Sequence, residues 1–413
     1  MPLSPPHQDL AGVHVLRLCS VFEPGPGRID DRAARFDPIG GMQNHTAALS
    51  RCLDAAGVTQ TILTARLAGR SGVTRLGGAA TVGRVGLPIT RLRQLWGWCA
   101  VPSVLAVRRP VDVVHAHQGE DIATLLLALL ARAVHRCPLV VTVHCSVRHT
   151  LTGRSARAWV LRVLGGAVEH QALRRAAAII TLVPHTAHLL REDGIPEDVV
   201  HVLPSGFDPD IFLRGSEGSD AEDAFPGLPR PRIGYVGRLA GQKRPDLLVE
   251  AFTRMRDRSA RLVIVGDGPL HRVVQSAVHR SPARDRITVT GFVPHTEVPG
   301  VLASLDVLVL PSVYEEMGSI LVEAMASGLP VVASRVGGIP DVVEDGGTGV
   351  LVPPGDPEAL AAALDELVTD PCRRERLGAA ARRRARRYSW PELAGRVAQL
   401  YAVARAGEGA SSR

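Results

Sequence analysis

Lysine is almost absent from this chain. Of its 48 basic residues one, Lys243, is a lysine and the others are arginine. Whatever bias replaced lysine elsewhere left this position alone, which points to a need for a compact, flexible ammonium where a planar guanidinium would not serve. Aromatic residues are also scarce, at 4%, and the aromatic-basic interleaving expected of a nucleic-acid platform is lacking, which weighs against that partner. The longest apolar run, Ile122 to Ala131, is stopped by Arg132, well short of the ~20 residues a membrane span needs. The six cysteines show no paired ligand spacing and read as buried thiols rather than a disulfide or zinc framework. The start, MPLSPPHQDLAG, has neither the basic opening nor the apolar core of a signal peptide. A cytoplasmic protein is therefore expected.

What is present is a globular composition, 46% hydrophobic and 22% charged over 413 residues, too long for one core and suited to two domains of about 200 residues. The net charge of +7 is uneven. Residues 1 to 205 carry 22 arginines against 14 acidic residues, and the remainder 26 basic against 27 acidic. A basic first half suits nucleic acid or an acidic membrane surface, or serves only solubility.

Strand-like apolar runs alternate with helical stretches throughout. In the first half they are Val13–Cys19, Thr59–Ala65, Val111–His117, Leu139–His144, Ala178–Leu182 and Val199–Leu203; in the second, Arg232–Val236, Arg261–Val265, Ile287–Thr290, Asp306–Leu310, Pro330–Ala333 and Gly349–Val352. Such alternation predicts βαβ units and parallel sheets. Residues 206 to 232, rich in Gly, Ser, Pro and acid, read as a linker between a domain over 1–205 and one over 233–388, with a helix and tail over 389–413. Arg91 to Arg109 holds Trp96 and Trp98 between arginines and reads either as a docked surface helix or as a membrane-contacting one.

Several glycine loops fall where strands end. Gly40-Gly41 precedes a helix from about Met42 and marks either a plain turn or a place where a phosphate or sugar could approach the backbone. GYVGRLAGQKRPD places Arg238 and Lys243 after the second half's first strand, an arrangement suited to a diphosphate. VGDGP adds Gly266 at the next strand end, and PSVYEEMGSILVEAMASGLP adds Glu315 in a loop and Glu323 in the helix after it. In open α/β sheets these are positions where ligands bind.

Together GRLAGQK, VGDGP, the long segment from GFVPHTEV to VVAS, and VGGIPDVVEDGGTGVLVPPGDPEAL resemble the donor half of the retaining glycosyltransferases of family 4. GGMQNHTAALSRCL, DVVHAH, VVTVHC and LPSGFDPDIF match the family's first half. The resemblance covers essentially the whole chain. It implies the GT-B fold, an α/β architecture in which two Rossmann-like domains with parallel sheets face each other across a cleft. It further implies that Arg238 and Lys243 hold a nucleotide-sugar diphosphate, Glu323 the ribose hydroxyls and Glu315 the hydroxyls of the transferred sugar. The amides of Met317, Gly318 and Ser319 then lie beside the sugar and β-phosphate, with Gly266 at the same edge, and Gly40 and Gly41 near the β-phosphate. His144 matches the family histidine that borders the sugar. Two departures stand out: Ser205 replaces the usual Asn, and Pro184-His185 replaces a small pair. Asp208 and Asp210 fall in a post-strand turn of the family, so no metal and no cofactor are expected.

For the acceptor, Glu120 and Asp121 are either ordinary acids at a helix start or a pair facing a cationic acceptor, beside His144. The HQGEDIA and HCSVRHTLTG segments are similar to those of bacterial transferases in aminoglycoside antibiotic pathways, which implies a UDP-sugar donor, UDP-N-acetylglucosamine, and 2-deoxystreptamine as acceptor. The alternatives are mannosyl or glucosyl transfer to a lipid or inositol-type acceptor at a membrane, and a non-catalytic sugar-nucleotide binder. Nucleic acid is not an expected partner.

Overall fold

The computed structural model describes residues 12–23, 41–66, 72–87, 95–119, 121–150, 156–212 and 223–411. Gly40, Glu120, residues 91–94 of the Trp-Arg stretch and 213–222 of the linker lie outside the described residues. The chain forms two compact units. One combines the first strand with Gly41–Pro204 and Trp390–Arg413, and the other spans Ser205–Ser389. Both are Rossmann-like, as the alternation of apolar runs predicts.

The first unit has strands β1 His14–Cys19, β2 Thr59–Ala65, β3 Gly72–Arg75, β4 Ala80–Val85, β5 Val113–Gln118, β6 Leu139–Val143, β7 Ala178–Thr181 and β8 Val200–Val202, in the order β3-β4-β2-β1-β5-β6-β7-β8. All pairings are parallel except β3 with β4. The second has β9 Arg232–Val236, β10 Arg261–Val265, β11 Ile287–Gly291, β12 Val307–Leu310, β13 Val331–Ser334 and β14 Gly349–Val352, in the order β11-β10-β9-β12-β13-β14 and wholly parallel. In each sheet the order reverses beside the first strand, between β1 and β5 and between β9 and β12. Crevices open at such switch points, beyond the carboxyl ends of the strands.

Successive strand residues point to opposite faces, so each inner strand feeds two cores. Leu16 and Leu18 of β1 pack with Trp96, Ala100 and Leu125, on the helices Trp96–Leu105 and Ala123–His135. Val13 and Val15 pack instead with Leu49 and Leu53 of the helix Gly41–Ala55 and with Trp390, Leu393 and Val397 of the helix Trp390–Ser411. That second face is not wholly apolar. Arg17 shares it with Val15, and it is 0% exposed.

One feature departs from the sequence reading. The β3–β4 hairpin is not among the strand-like runs, because GVTRLGGAATVGRV is short and glycine-rich. Its turn is held from outside, by the Asp54 carboxylate accepting from Gly78 N at 3.0 Å and Ala79 N at 2.8 Å. The described part of the Trp-Arg stretch docks one face, with Trp96 3% exposed, while Trp98 on the other face is 79% exposed. Among the described residues no helix is long and apolar enough to cross a membrane.

The loops after β9 and β10 touch backbone to backbone. Leu239 N donates to Asp267 O at 3.0 Å, and Leu270 N to Leu239 O at 2.8 Å. Gly266 has φ 137°, and a Cβ there would lie 1.9 Å from Gly237 O. Alanine would therefore add both left-handed strain and a clash with rigid backbone. Gly266→Ala is expected to destabilise the second unit by about 3 kcal/mol in urea unfolding followed by circular dichroism. Gly241→Ala, where a Cβ meets nothing within 4 Å, should stay within about 0.5 kcal/mol. Equal midpoints for the two variants would show that the loop crossing is not rigid.

Candidate functional site

In the second unit the loops after β9 and β12 are tied together twice. Val313 N donates to Gln242 O at 2.8 Å, and the Lys243 ammonium forms an ion pair with Glu315 Oε1. Lys243 sits at the end of the one-turn helix Gly241–Lys243, which aims its flexible stem across the gap. Ser312 Oγ donates to the same Glu315 Oε1 at 2.8 Å, and the Glu315 side chain is 7% exposed against 20% for Lys243. No described residue hydrogen-bonds Glu315 Oε2. The carboxylate is thus charge-balanced on one oxygen and open on the other, an arrangement that holds a buried anion ready to accept from a hydroxyl.

Arg238 lies on the same loop as Lys243, partly buried, and its carbonyl accepts from the Tyr235 hydroxyl at 2.7 Å. Gly318, with φ 74°, ends the β12 loop, and Ser319 opens the helix Ser319–Ala326. Met317 is buried, its sulfur 3.1 Å from Ser205 N, so the departure at Ser205 falls beside a predicted donor residue. Glu323, also buried, lies on that helix with Oε1 3.0 Å from His295 Nε2. His295 lies in the GFVPHTEV segment, to which the sequence reading gives no residue role.

In the first unit β5 ends in HAH and β6 runs into His144. Period-two geometry puts His115 and His117 on the face that carries Arg17, which pairs across the strands with His115. His117 Nδ1 lies 3.1 Å from His144 Nε2, and Arg17 Nη1 lies 2.6 Å from His117 Nε2. His45, from the helix that Gly41 begins, stands perpendicular to His144 with ring centroids 4.7 Å apart. The sequence reading gives Arg17, His45, His115 and His117 no role of their own. The available signal was a charge inside the strand VLRLC and two histidines two residues apart in DVVHAH.

Burial pushes the His144 ring down to about 3. Burial also holds His45, His115 and His117 well below the usual imidazole range. For His45 the neighbouring His144 and Arg17 add to the effect, for His115 Arg17 and then His45, and for His117 His115 and then Arg17. All four rings are neutral at pH 7. Ring nitrogens of His45, His117 and His144 lie within 4.8 Å of one another, close enough for a metal, but the guanidinium of Arg17 already occupies the space beside them with positive charge.

Asp121 is buried and caps the helix that follows it. Its Oδ1 accepts from Thr124 N at 3.1 Å and Trp96 Nε1 at 3.4 Å, and its Oδ2 from the Thr124 hydroxyl. No hydrogen bond joins it to His144. Gly41 is exposed at its helix start, while Gly40 and Glu120 lie outside the described residues.

Residues 39–211 match the family described as Glycosyltransferase Family 4, and residues 220–384 match Glycosyl transferases group 1. A 2-deoxystreptamine glucosyltransferase of Streptomyces kanamyceticus is 35% identical over 349 residues, 80% of this chain and 90% of the relative. A 2-deoxystreptamine N-acetyl-D-glucosaminyltransferase of Streptomyces fradiae is 35% identical over 367 residues, 84% and 87% of the two chains. Among solved structures, the HepE protein of Anabaena in complex with UDP-glucose superposes with a TM-score of 0.71 at 20% identity, covering 94% of this chain and 98% of the other. It shares the GT-B fold.

The four depressed imidazoles of the cluster set a direction for acid sensitivity, and His14 and His201 of the same unit, lowered chiefly by burial, add to it in the same sense. Above their unfolded value of about 6.5 both states are neutral, and the folded unit keeps its full stability. As pH falls below that value the unfolded chain binds protons that the folded one refuses, so stability is lost from about pH 6.5 down towards the folded values. Each ring costs about 1.4 kcal/mol per pH unit once the unfolded form is mostly protonated. Glu169, pushed up by burial, works in the opposite sense at lower pH. All four tryptophans belong to the first unit, so their fluorescence reports its unfolding. Urea titrations between pH 7.5 and 5 should show proton uptake on unfolding rising to several per molecule, and an uptake below one would overturn the neutral cluster.

Proposed function

The chain belongs to the glycosyl transferases of family 4 and group 1, and from that membership we propose that it moves N-acetylglucosamine from UDP-N-acetylglucosamine to a hydroxyl of 2-deoxystreptamine, with retention of configuration. That it is a hexosyltransferase built on two Rossmann-like units is established by the family match and by its curated relatives. The acceptor is supported by two relatives whose names both carry 2-deoxystreptamine. The sugar is supported by the relative named as an N-acetyl-D-glucosaminyltransferase, which aligns over 84% of this chain. The UDP moiety is supported by the structurally similar HepE complex with UDP-glucose.

The observation that carries the reading is the half-engaged Glu315. Its Oε1 is satisfied by Lys243 and Ser312, and its Oε2 is assigned to hydroxyls of the transferred sugar. Lys243 and Arg238 then neutralise the diphosphate as it departs, work that a metal does in other transferases. Glu323 takes the ribose hydroxyls, shared with His295. The amides of Met317, Gly318 and Ser319, with Gly266 at the same sheet edge, are assigned to the β-phosphate. No protein nucleophile is needed: the acceptor hydroxyl attacks from the face the diphosphate leaves, and a phosphate oxygen takes its proton. Glu120, next to the capping Asp121, supplies negative charge for a cationic aminocyclitol. His144, neutral because burial holds it near 3, borders the sugar without repelling that cation.

A lipid or inositol-type acceptor at a membrane surface is the second reading, favoured by Trp98 at 79% exposure and Leu105 at 57% on an arginine-flanked helix. Sedimentation with anionic vesicles at low salt separates the two, since a protein that stays in the supernatant removes the membrane reading.

Purified protein incubated with 2-deoxystreptamine and UDP-N-acetylglucosamine should yield the monoglycosylated product by mass, faster than with UDP-glucose. Glu315→Gln and Lys243→Met are each expected to lower kcat on the order of 10²-fold. Lys243→Arg should fail to restore it, because a rigid fork cannot reproduce the point contact. Turnover only with another donor or acceptor would overturn the substrate assignment, and full activity in Glu315→Gln would overturn the roles of the residues.

A further inference from the structure

A guanidinium has five N–H donors and no acceptor, so every hydrogen bond it makes declares the other atom an acceptor. Arg17 uses all five. Nε and Nη2 donate to Gln60 Oε1 at 3.3 and 3.1 Å, Nη2 also to the Tyr401 hydroxyl at 3.2 Å, and Nη1 to His115 Nδ1 at 3.2 Å and His117 Nε2 at 2.6 Å. Gln60 is oriented independently, its Nε2 donating to Ser50 O at 2.8 Å.

The consequence runs outward along the rings. With Nε2 accepting, the neutral His117 carries its one proton on Nδ1, and that N–H points at His144 Nε2 across 3.1 Å. His144 Nε2 is then an acceptor too, so its own proton sits on Nδ1. No described residue hydrogen-bonds that Nδ1, and the ring keeps 9% exposure. His115 obeys the same logic. Its Nδ1 also lies 2.6 Å from the Tyr401 hydroxyl, leaving Nε2–H for Thr142 Oγ1 at 2.8 Å.

We propose that Arg17 is a positioning residue which, through His117, fixes His144 in the Nδ1–H tautomer, so that His144 meets a sugar oxygen as a hydrogen-bond donor and not as a general base. This rests on the reading that His144 borders the donor sugar. The group recognised is an oxygen acceptor, a hydroxyl or carbonyl of the transferred sugar. A guanidinium is never deprotonated in proteins, so the polarity of the chain does not reverse between pH 6 and 9. The same logic removes the three-imidazole cluster from consideration as a metal site. One nitrogen of His117 holds a proton and the other accepts from Arg17, so that ring has no lone pair left for a cation.

Nitrogen-15 NMR of the full chain labelled at histidine reads the tautomers directly, with His144→Asn assigning the resonance. At pH 7.5 His117 and His144 are expected as Nδ1–H forms and His115 as Nε2–H. In His117→Leu the relay is cut, and His144 should relax to a mixture of both tautomers. In His117→Gln, whose amide can accept from Arg17 and donate to His144, the Nδ1–H form should return. A wild-type His144 protonated at Nε2, a pure Nδ1–H His144 in the leucine variant, or a stoichiometric metal carried through purification would each overturn the proposal. Should the leucine variant fail to fold, the wild-type spectrum alone decides. Saturation with UDP-N-acetylglucosamine should shift the Nδ1 proton, and a proton that does not move would overturn its role toward the sugar. These readouts need no acceptor and no turnover, so a wrong acceptor assignment would leave them unchanged.

Discussion

A positive charge with no carboxylate among its hydrogen-bond partners lies at the centre of the first unit, and the surrounding structure is arranged to tolerate it. Removing a guanidinium from water costs several kcal/mol unless its donors are met. Arg17 meets that cost with neutral acceptors, one amide, one hydroxyl and two imidazoles. Those acceptors come from β2, β5 and the C-terminal helix, so satisfying one side chain obliges three distant segments to converge. The cation also helps to keep its imidazole partners uncharged, since protonating either would place like charges in contact at low dielectric.

The second unit manages charge the opposite way. Lys243 and Glu315 neutralise one another, and Ser312 adds a hydroxyl donor to the same carboxylate oxygen. An ammonium on a flexible stem reaches a single oxygen and leaves the second available, where a guanidinium fork favours binding both oxygens of a carboxylate. That geometry accounts for the survival of one lysine in a chain that otherwise uses arginine. The backbone crossing of the loops after β9 and β10 gives this pair a rigid footing, because two carbonyl-lined turns can approach so closely only where one of them lacks a Cβ.

The two sites differ in how openly the sequence announces them. Glu315, Lys243, Arg238 and Gly266 sit in loops directly after apolar runs, so strand ends and loop chemistry can be read together from a short window. The Arg17 row sits within strands, where a polar residue is masked by its apolar neighbours. VLRLC and DVVHAH read as strands first and as a polar ladder only when set side by side. Asp121 shows the opposite limit. Two acids before a helix suggest either a cap or a ligand pair, and the bonds to Thr124 and Trp96 engage the side chain as a cap.

By itself the sequence determined the alternation of strands and helices, the parallel sheets that follow from it, and the glycine loops at their carboxyl ends. These are local properties, written in side-chain period and in the backbone demands of turns. Tertiary structure decided which side chains face one another. Arg17 and Tyr401 are 384 residues apart and Lys243 and Glu315 are 72 apart, and no local pattern encodes such meetings. They depend on strand order, on register and on the return of the last helix to the first sheet. A hydrogen bond's direction is settled only once its partner on another strand is in place.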